Sequence, residues 1–342
     1  MLLTKLYQFT FELLISFFHR ETLNPERSEE VKNYDRSMKT AIVWQLYSSF
    51  LTIVILFTIA GNSLVCILIT RNRALKSSIN WLLFHLAIAD LLAAVFFTPP
   101  CVLSHFIHHP GGKTGNILCL LFTAGTLGWV SASASSFLLV SVAFERYYAT
   151  LHPFRSLQRR YSWWLLFLLW ILAISLNLPS IVVTAFHVQS QMCSENFPSY
   201  TFSRAYYITW SFCNSIIPIC IMGFLYSSII LHLQKQTFIP DSSRVSATRR
   251  RNKVTKMLIS VTVIFAVCWI PQATLCVISP IIPGGYGTVS AVATASALLN
   301  SCLNPLMYTL HSQKFRKNLA SLISSWIPQK SSQTTVHSRG NC

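Results

Sequence analysis

Five stretches of at least thirty residues in this 342-residue chain contain no Asp, Glu, Lys or Arg. They are Ala41–Thr70, Thr114–Phe144, Tyr161–Ser194, Ala205–Gln234 and Met257–Gln313. Each is longer than the roughly 20 residues an α-helix needs to cross a bilayer. Charged residues make up 11% of the chain, against about 25% in soluble domains. The pattern predicts a multi-spanning membrane protein. Backbone groups in hydrocarbon must pair internally, so the expected fold class is all-α.

Turn-formers and charges divide the apolar sequence into seven predicted spans: Val43–Thr70, Ile79–Ser104, Ile117–Tyr147, Trp163–Val183, Ala205–Leu233, Val254–Ser279 and Val289–Leu310. The fifty-seven-residue run from Met257 is too long for one crossing, and Pro280–Gly287 splits it. Pro99, Pro218, Pro271 and Pro305 fall inside spans and predict kinks. Basic residues cluster after the odd-numbered spans (Arg71, Arg73, Lys76; Arg155, Arg159, Arg160; Lys235, Arg244, Arg249, Arg250, Arg251, Lys253). Loops after even-numbered spans hold only Lys113 and Arg204. The positive-inside rule then puts the N-terminus outside and the tail in the cytoplasm. The net charge of +17 is accordingly a topology signal, and no nucleic-acid partner is expected.

Leu2–Phe18 has Lys5 ahead of an apolar run, as a signal peptide does, but Glu12 interrupts it and no small-residue cleavage site follows. The residues favour an uncleaved outer tail over 1–42, with 20–39 flexible. No Asn-x-Ser/Thr acceptor occurs, so N-glycosylation is not expected. Cys66, Cys213, Cys220, Cys268 and Cys302 lie in spans and read as small apolar residues. Cys119 and Cys193 fall near the outer, disulfide-permissive face, where a bond would tie the third span to the loop before the fifth.

Polar groups inside a membrane are costly and tend to be functional. Asp90 is the one formal charge in the middle of a span, with Asn62, Ser135, Asn300, Ser301 and Asn304 at comparable depth. The residues alone favour equally a structural polar network and a cation site. Trp269 beside Pro271 reads as either a core side chain at a kink or a pivot. Asn304-Pro305-Leu-Met-Tyr308 invites the same two readings. Tyr226, eight residues after Pro218, is expected to face inward near the cytoplasmic end.

Taken in order along the spans, these features resemble the rhodopsin-like (class A) G-protein-coupled receptors, over residues 43–324. Gly61-Asn62-Ser-Leu-Val65 is similar to the first-helix motif and Leu86-Ala-Ile-Ala-Asp90 to the second. Glu145-Arg146-Tyr147 with Pro153-Phe154 is similar to the third. Trp170 with Pro179 resembles the fourth and Pro218 with Tyr226 the fifth. Phe265, Cys268, Trp269 and Pro271 resemble the sixth, and Asn304-Pro305 with Tyr308 the seventh. The resemblance implies a seven-transmembrane helix bundle over 43–310, an amphipathic eighth helix over 311–324 opening at Phe315-Arg316, and a cytoplasmic tail over 325–342.

It also implies roles. Asp90, Ser135, Asn300, Ser301 and Asn304 fall on the family's sodium site. No other cofactor is expected. Phe265, Trp269, Pro271, Asn304 and Pro305 fall on its activation pivot. In a coupling switch, Glu145 would hold Arg146 at rest until Arg146 turns toward Tyr226, Tyr308 and a heterotrimeric G protein. Tyr147, Pro153 and Phe154 belong to the same switch. The Cys119–Cys193 disulfide fits the family, although Cys119 lies twenty-seven residues before Arg146 where about twenty-five is usual, and Leu121 holds the usual place. Arg251 is basic where some members place an acid, which leaves Glu145 as the main restraint on Arg146.

Gly128 stands where amine receptors carry an Asp, and Leu298 where opsins carry the retinal Lys, so neither ligand is expected. Family spacing gives the pocket as Trp129, Ala132, Trp210, Asn214, Gln272, Cys276 and Thr294, an aromatic and neutral lining. A peptide is expected, given Glu195 in the outer loop, with a lipid or neutral small molecule as alternatives. His105, His108 and His109 could titrate near neutrality, but exposed loop histidines without a role explain them better. Ser331, Ser332, Thr334 and Thr335 would favour arrestin if phosphorylated, although disordered-tail composition explains them equally. Cys342 is not in a prenylation box. A transporter or channel is disfavoured by the absence of an internal repeat, and a non-signalling scaffold by the intact motifs. No enzyme constellation is present. A multi-pass plasma-membrane protein in contact with membrane lipids is expected.

Overall fold

The computed structural model describes residues 29–72, 77–103, 109–152, 159–189, 192–236, 242–278, 286–311 and 313–326. Pro153, Phe154, His105, His108, the signal-like start and the tail serines and threonines lie outside these, as does the side chain of Arg251. The long helices are α1 (Glu29–Arg71), α2 (Ser78–Thr98), α4 (Thr126–Leu151), α5 (Arg159–Val183), α7 (Ile217–Gln236), α8 (Ser242–Ile278) and α9 (Tyr286–His311). Two short helices, α3 (Gly112–Leu118) and α6 (Tyr200–Ser211), precede α4 and α7, and α10 (Gln313–Trp326) is the last helix among the described residues. Six segments among the described residues are long and apolar enough to cross a membrane, and α9 supplies the seventh helix of the bundle.

Residues up to Phe50 form one compact unit and residues from Leu51 onward another. Within the first, Trp44 meets Tyr47 edge-on at 5.6 Å and Ser49 Oγ donates to Gln45 O at 2.8 Å. Among the described residues helical backbone is present from Glu29, where the sequence reading expects a flexible tail to residue 39. It continues to Trp326 in α10, two residues beyond the expected end.

In the larger unit, α4 is the axis. It packs on α2, α5 and α7, while α9 packs on α8 and α2. A helix surrounded by other helices must be buried all round, and Ser131 through Ser136 are all buried. Small side chains there let neighbouring backbones approach closely, the usual basis of helix association in lipid. On the lipid side Trp163, Trp164, Phe167 and Leu168 of α5 are exposed.

The third and fifth spans are not the uninterrupted helices that apolarity alone predicts. The third breaks at a π turn, Cys119–Thr123, followed by Gly125 in the left-handed region at φ 74°. A π turn takes up more residues per turn than an α-helix, which accommodates the extra sequence between Cys119 and Arg146. The fifth carries a π turn at Phe212–Ile216, which ends two residues before Pro218.

The loop after α5 folds into an antiparallel hairpin, β1 (Thr184–His187) with β2 (Met192–Glu195), which pairs Phe186 with Cys193. Cys193 is disulfide-bonded to Cys119. Asn116 Oδ1 accepts from Phe186 N at 2.9 Å, and Asn196 N donates to Val183 O at 2.9 Å. The hairpin is thus fixed to both α3 and the end of α5.

Candidate functional site

The centre of the bundle is built around Asp90, which is fully buried on α2. Its Oδ1 accepts from Ser135 Oγ at 2.7 Å and from Ser301 Oγ at 2.8 Å. Its Oδ2 accepts from Asn304 Nδ2 at 2.8 Å. Asn62 Nδ2 reaches Ser301 O at 3.2 Å, so α1, α2, α4 and α9 meet in one polar network. A charge at mid-membrane costs about 2.5–3.5 kcal/mol on insertion scales. Hydrogen bonds to a charged group return about 1.5–3 kcal/mol each, so three donors are enough to hold the carboxylate.

Four of the five residues expected around a cation are therefore joined. Asn300 is buried beside them on α9, but its Oδ1 has no hydrogen-bond partner, and neither does that of Asn62. The ligand chemistry suits a hard monovalent ion: one carboxylate, two hydroxyls and two amide oxygens still lacking partners. Among the described residues there is no group of three or more His, Cys, Asp or Glu placed to hold a metal ion.

At one end of the bundle, Glu145, Arg146 and Tyr147 occupy the last turns of α4. Arg146 Nε is buried without a hydrogen-bond partner. Glu145 and the Tyr226 hydroxyl of α7 are the neighbours that act on its charge. Tyr226 is hydrogen-bonded to Thr262 of α8. The Tyr308 hydroxyl is buried and unpartnered. Tyr147 lies edge-on to Tyr148 at 5.6 Å.

Toward the hairpin end, a ladder of rings crosses the interior. Phe97 meets Trp129 at 5.2 Å, Trp129 meets Trp210 at 5.4 Å, and Trp210 meets Trp269 at 6.1 Å. Trp269 then stacks on Phe265 at 5.4 Å. Pro271 and Pro305 lie inside α8 and α9. Of the expected pocket residues, Ala132, Trp210, Asn214, Gln272, Cys276 and Thr294 are buried and Trp129 partly so. Asn214 Nδ2 donates to Trp210 O at 2.9 Å, and Gln272 Nε2 to Cys276 Sγ at 3.2 Å. Thr294 is buried on α9; among the described residues no hydrogen bond ties it to the ladder.

Further residues complete this end, and of these Asn177, Ser180 and Tyr207 have no place in the sequence reading. Asn177 of α5 donates to Ser133 Oγ at 3.0 Å and accepts from Trp210 Nε1 at 3.1 Å. A polar residue within a span was the available signal for it. Glu195 accepts from Ser180 Oγ and from the Tyr207 hydroxyl, fastening β2 to α5 and α6. His109 stacks on Phe186 at 4.6 Å, and its Nε2 lies 3.1 Å from Thr123 Oγ1. It is held against the hairpin, unlike the exposed loop histidine expected.

A family model described as "7 transmembrane receptor (rhodopsin family)" matches residues 61–308. Neuropeptide FF receptor 2 of Rattus norvegicus is 26% identical over 303 residues, covering 80% of this chain and 71% of that protein. Melatonin receptor type 1B-B of Danio rerio is 30% identical over 293 residues, covering 81% and 82%. Neuropeptide Y receptor type 6 of Oryctolagus cuniculus is 27% identical over 298 residues, covering 80% and 78%.

Proposed function

Since the chain belongs to the rhodopsin family of seven-transmembrane receptors, a multi-pass membrane family that couples extracellular ligands to heterotrimeric G proteins, we propose that its own ligand is a peptide. Two of the relatives described are receptors for neuropeptide FF and neuropeptide Y. The observation that carries the reading is the mouth of the bundle. The hairpin is pinned by the Cys119–Cys193 bond and by Glu195, and so presents a fixed polar edge to a chain-like ligand. Below it, Trp129, Ala132, Trp210, Asn214, Gln272, Cys276 and Thr294 would receive one end of the peptide.

The second reading, a neutral small molecule, draws on the 30% identity to a melatonin receptor and on the buried aromatic ladder. In either case Trp269 and Phe265 would transmit contact to α8, with Pro271, Asn304 and Pro305 as the pivot. Arg146, released from Glu145, would move toward Tyr226 and Tyr308 to engage the G protein. Tyr147, Pro153 and Phe154 would shape the same surface. The unpartnered Nε of Arg146 favours a weak restraint at rest. A sodium ion would be held by Asp90, Ser135, Ser301 and the amide oxygen of Asn300, with Asn304 steadying Asp90. When bound, it neutralises the buried carboxylate. The N-terminus would face outward and the tail the cytoplasm of a plasma-membrane protein, with α10 lying on lipid and the tail open to arrestin.

The test is nucleotide exchange on purified G proteins, with neuropeptide FF, neuropeptide Y and melatonin applied in turn. Activation by a peptide, silenced by Arg146→Ala, is the expected result. Activation by melatonin alone would replace the peptide reading with the small-molecule one. Terminal epitope tags scored on intact against permeabilised cells test the orientation.

A further inference from the structure

Every polar atom of the Asn177 side chain is in use. Its Nδ2 donates to Ser133 Oγ at 3.0 Å and to Ala173 O at 2.8 Å, and its Oδ1 accepts from Trp210 Nε1 at 3.1 Å. Ser133 Oγ in turn donates to Trp129 O at 2.9 Å. Asn177, Ser133 and Trp210 are all buried. One amide on α5 therefore fixes an indole on α6 directly and reaches the backbone of α4 through a single hydroxyl. A buried amide so paired resists rotation, because turning it strands polar atoms away from water.

The aromatic ladder thus has a pinned half and a free half. Trp129 and Trp210 cross edge-on at 5.4 Å, and the Asn177 network holds the carbonyl of one and the indole of the other. Trp269 is different. It is buried, yet its Nε1 has no hydrogen-bond partner among the described residues. The rings it meets are Trp210 at 6.1 Å and Phe265 at 5.4 Å. Phe265 shares α8 with Trp269 and moves with it. Trp210 is the ring that holds Trp269 from another helix, and Asn177 sets the orientation of Trp210.

We propose that Asn177 is a positioning residue for activation: by holding the Trp210 indole it keeps Trp269 in its resting pose and so restrains α8. The proposal rests on the pivot role given to Trp269 above and adds the residue that sets its rest position. A ring freed from its anchor populates further torsions, and a resting state that loses restraint yields to the alternative in proportion to the free energy lost.

Basal nucleotide exchange per mole of folded receptor is measured on the full-length purified protein. The fluorine resonance of Trp269 is read in the same protein labelled with 5-fluorotryptophan. Asn177→Leu keeps the approximate volume and removes the acceptor of the indole. It should raise basal exchange about fivefold, the equivalent of one neutral hydrogen bond, and shift the Trp269 resonance. Trp210→Phe removes the same bond from its other end and should also raise exchange. The double variant should rise no further, because the amide acts only through the indole. Ser133→Ala breaks one bond of the network but leaves Asn177 its bonds to Ala173 and Trp210. It should lower the melting temperature while leaving exchange and the Trp269 resonance in place, which separates positioning from stability.

Unchanged exchange or an unmoved Trp269 resonance in Asn177→Leu would overturn the proposal. So would a rise in Ser133→Ala equal to that in Asn177→Leu. If Asn177→Leu does not fold, Trp210→Phe set against Ser133→Ala decides. Trp269→Phe tells the two possible failures apart. If it alters basal exchange while Asn177→Leu does not, this inference fails and the pivot stands. If it leaves exchange untouched, the pivot itself fails.

Discussion

Ser136 Oγ donates a hydrogen bond to the backbone carbonyl of Asn214 across 2.9 Å, with both residues fully buried. The contact joins α4 to the π turn before Pro218. A proline brings no N–H to the preceding turn, so a carbonyl there needs another donor, and Ser136 provides it. Ser136→Ala would leave that carbonyl unpaired in a low-dielectric interior, at about 1–3 kcal/mol. Thermal unfolding in detergent should drop by several degrees in Ser136→Ala, while Ser136→Thr keeps most of the stability. An unchanged melting point in the alanine variant would mean that the π turn relaxes and pairs the carbonyl itself.

The Asp90 network makes a separable prediction about salt. If a sodium ion is held there, replacing choline chloride by sodium chloride at constant ionic strength should stabilise the receptor. At ten times the dissociation constant the gain is about 1.4 kcal/mol. Asp90→Asn should abolish the sodium-specific part. The new amide would offer one acceptor where Ser135, Ser301 and Asn304 now donate to two oxygens, so a modest loss of basal stability should accompany it. Identical sodium and choline curves for the unaltered receptor would reduce this cluster to a structural network.

The spans and the Asp90 cluster were legible because the bilayer excludes charge so strongly that the few intramembrane polar residues stand out. Motif spacing placed Ser135, Ser301 and Asn304 close enough to meet one carboxylate, as they do. Spacing could not say that the Asn300 oxygen points away from a partner, since that depends on a side-chain torsion. The hairpin escaped notice because two four-residue strands leave too short an alternation to read. The π turns escaped because apolarity is blind to the number of residues in a turn. The Glu195 tether to Ser180 and Tyr207 joins three elements distant in sequence, and only the folded arrangement of α5, β2 and α6 reveals it.

Gly128 is required by Phe97. A Cβ built on Gly128 would fall 2.8–2.9 Å from three carbons of the Phe97 ring, well inside van der Waals contact, and Phe97 is itself buried. Gly128→Ala should therefore cost about 1–3 kcal/mol through overpacking. Phe97→Leu, which opens a cavity of its own, should suppress part of that cost in the double variant. The expected coupling is about 0.5–3 kcal/mol, typical of residues in direct contact, read from the four melting curves. Strict additivity would show that the glycine is needed for some reason other than this ring.

Arg146 and Glu145 give the last prediction, which needs no ligand. Arg146 carries its charge in a buried setting where Glu145 is the nearby acid, yet its Nε has no hydrogen-bond partner. A restraint built mainly from that one charge should be weak, so basal nucleotide exchange should be measurable in the unaltered receptor. Glu145→Gln removes the charge while keeping the shape, and should raise basal exchange severalfold. Removing about 1 kcal/mol of restraint corresponds to roughly a fivefold shift in the resting equilibrium. Arg146→Ala should silence exchange, and the double variant should be as silent as Arg146→Ala alone, because the acid acts only through the guanidinium. A Glu145→Gln receptor with unaltered basal exchange would mean that some other contact holds Arg146 at rest. A double variant that still signals would remove Arg146 from the switch altogether.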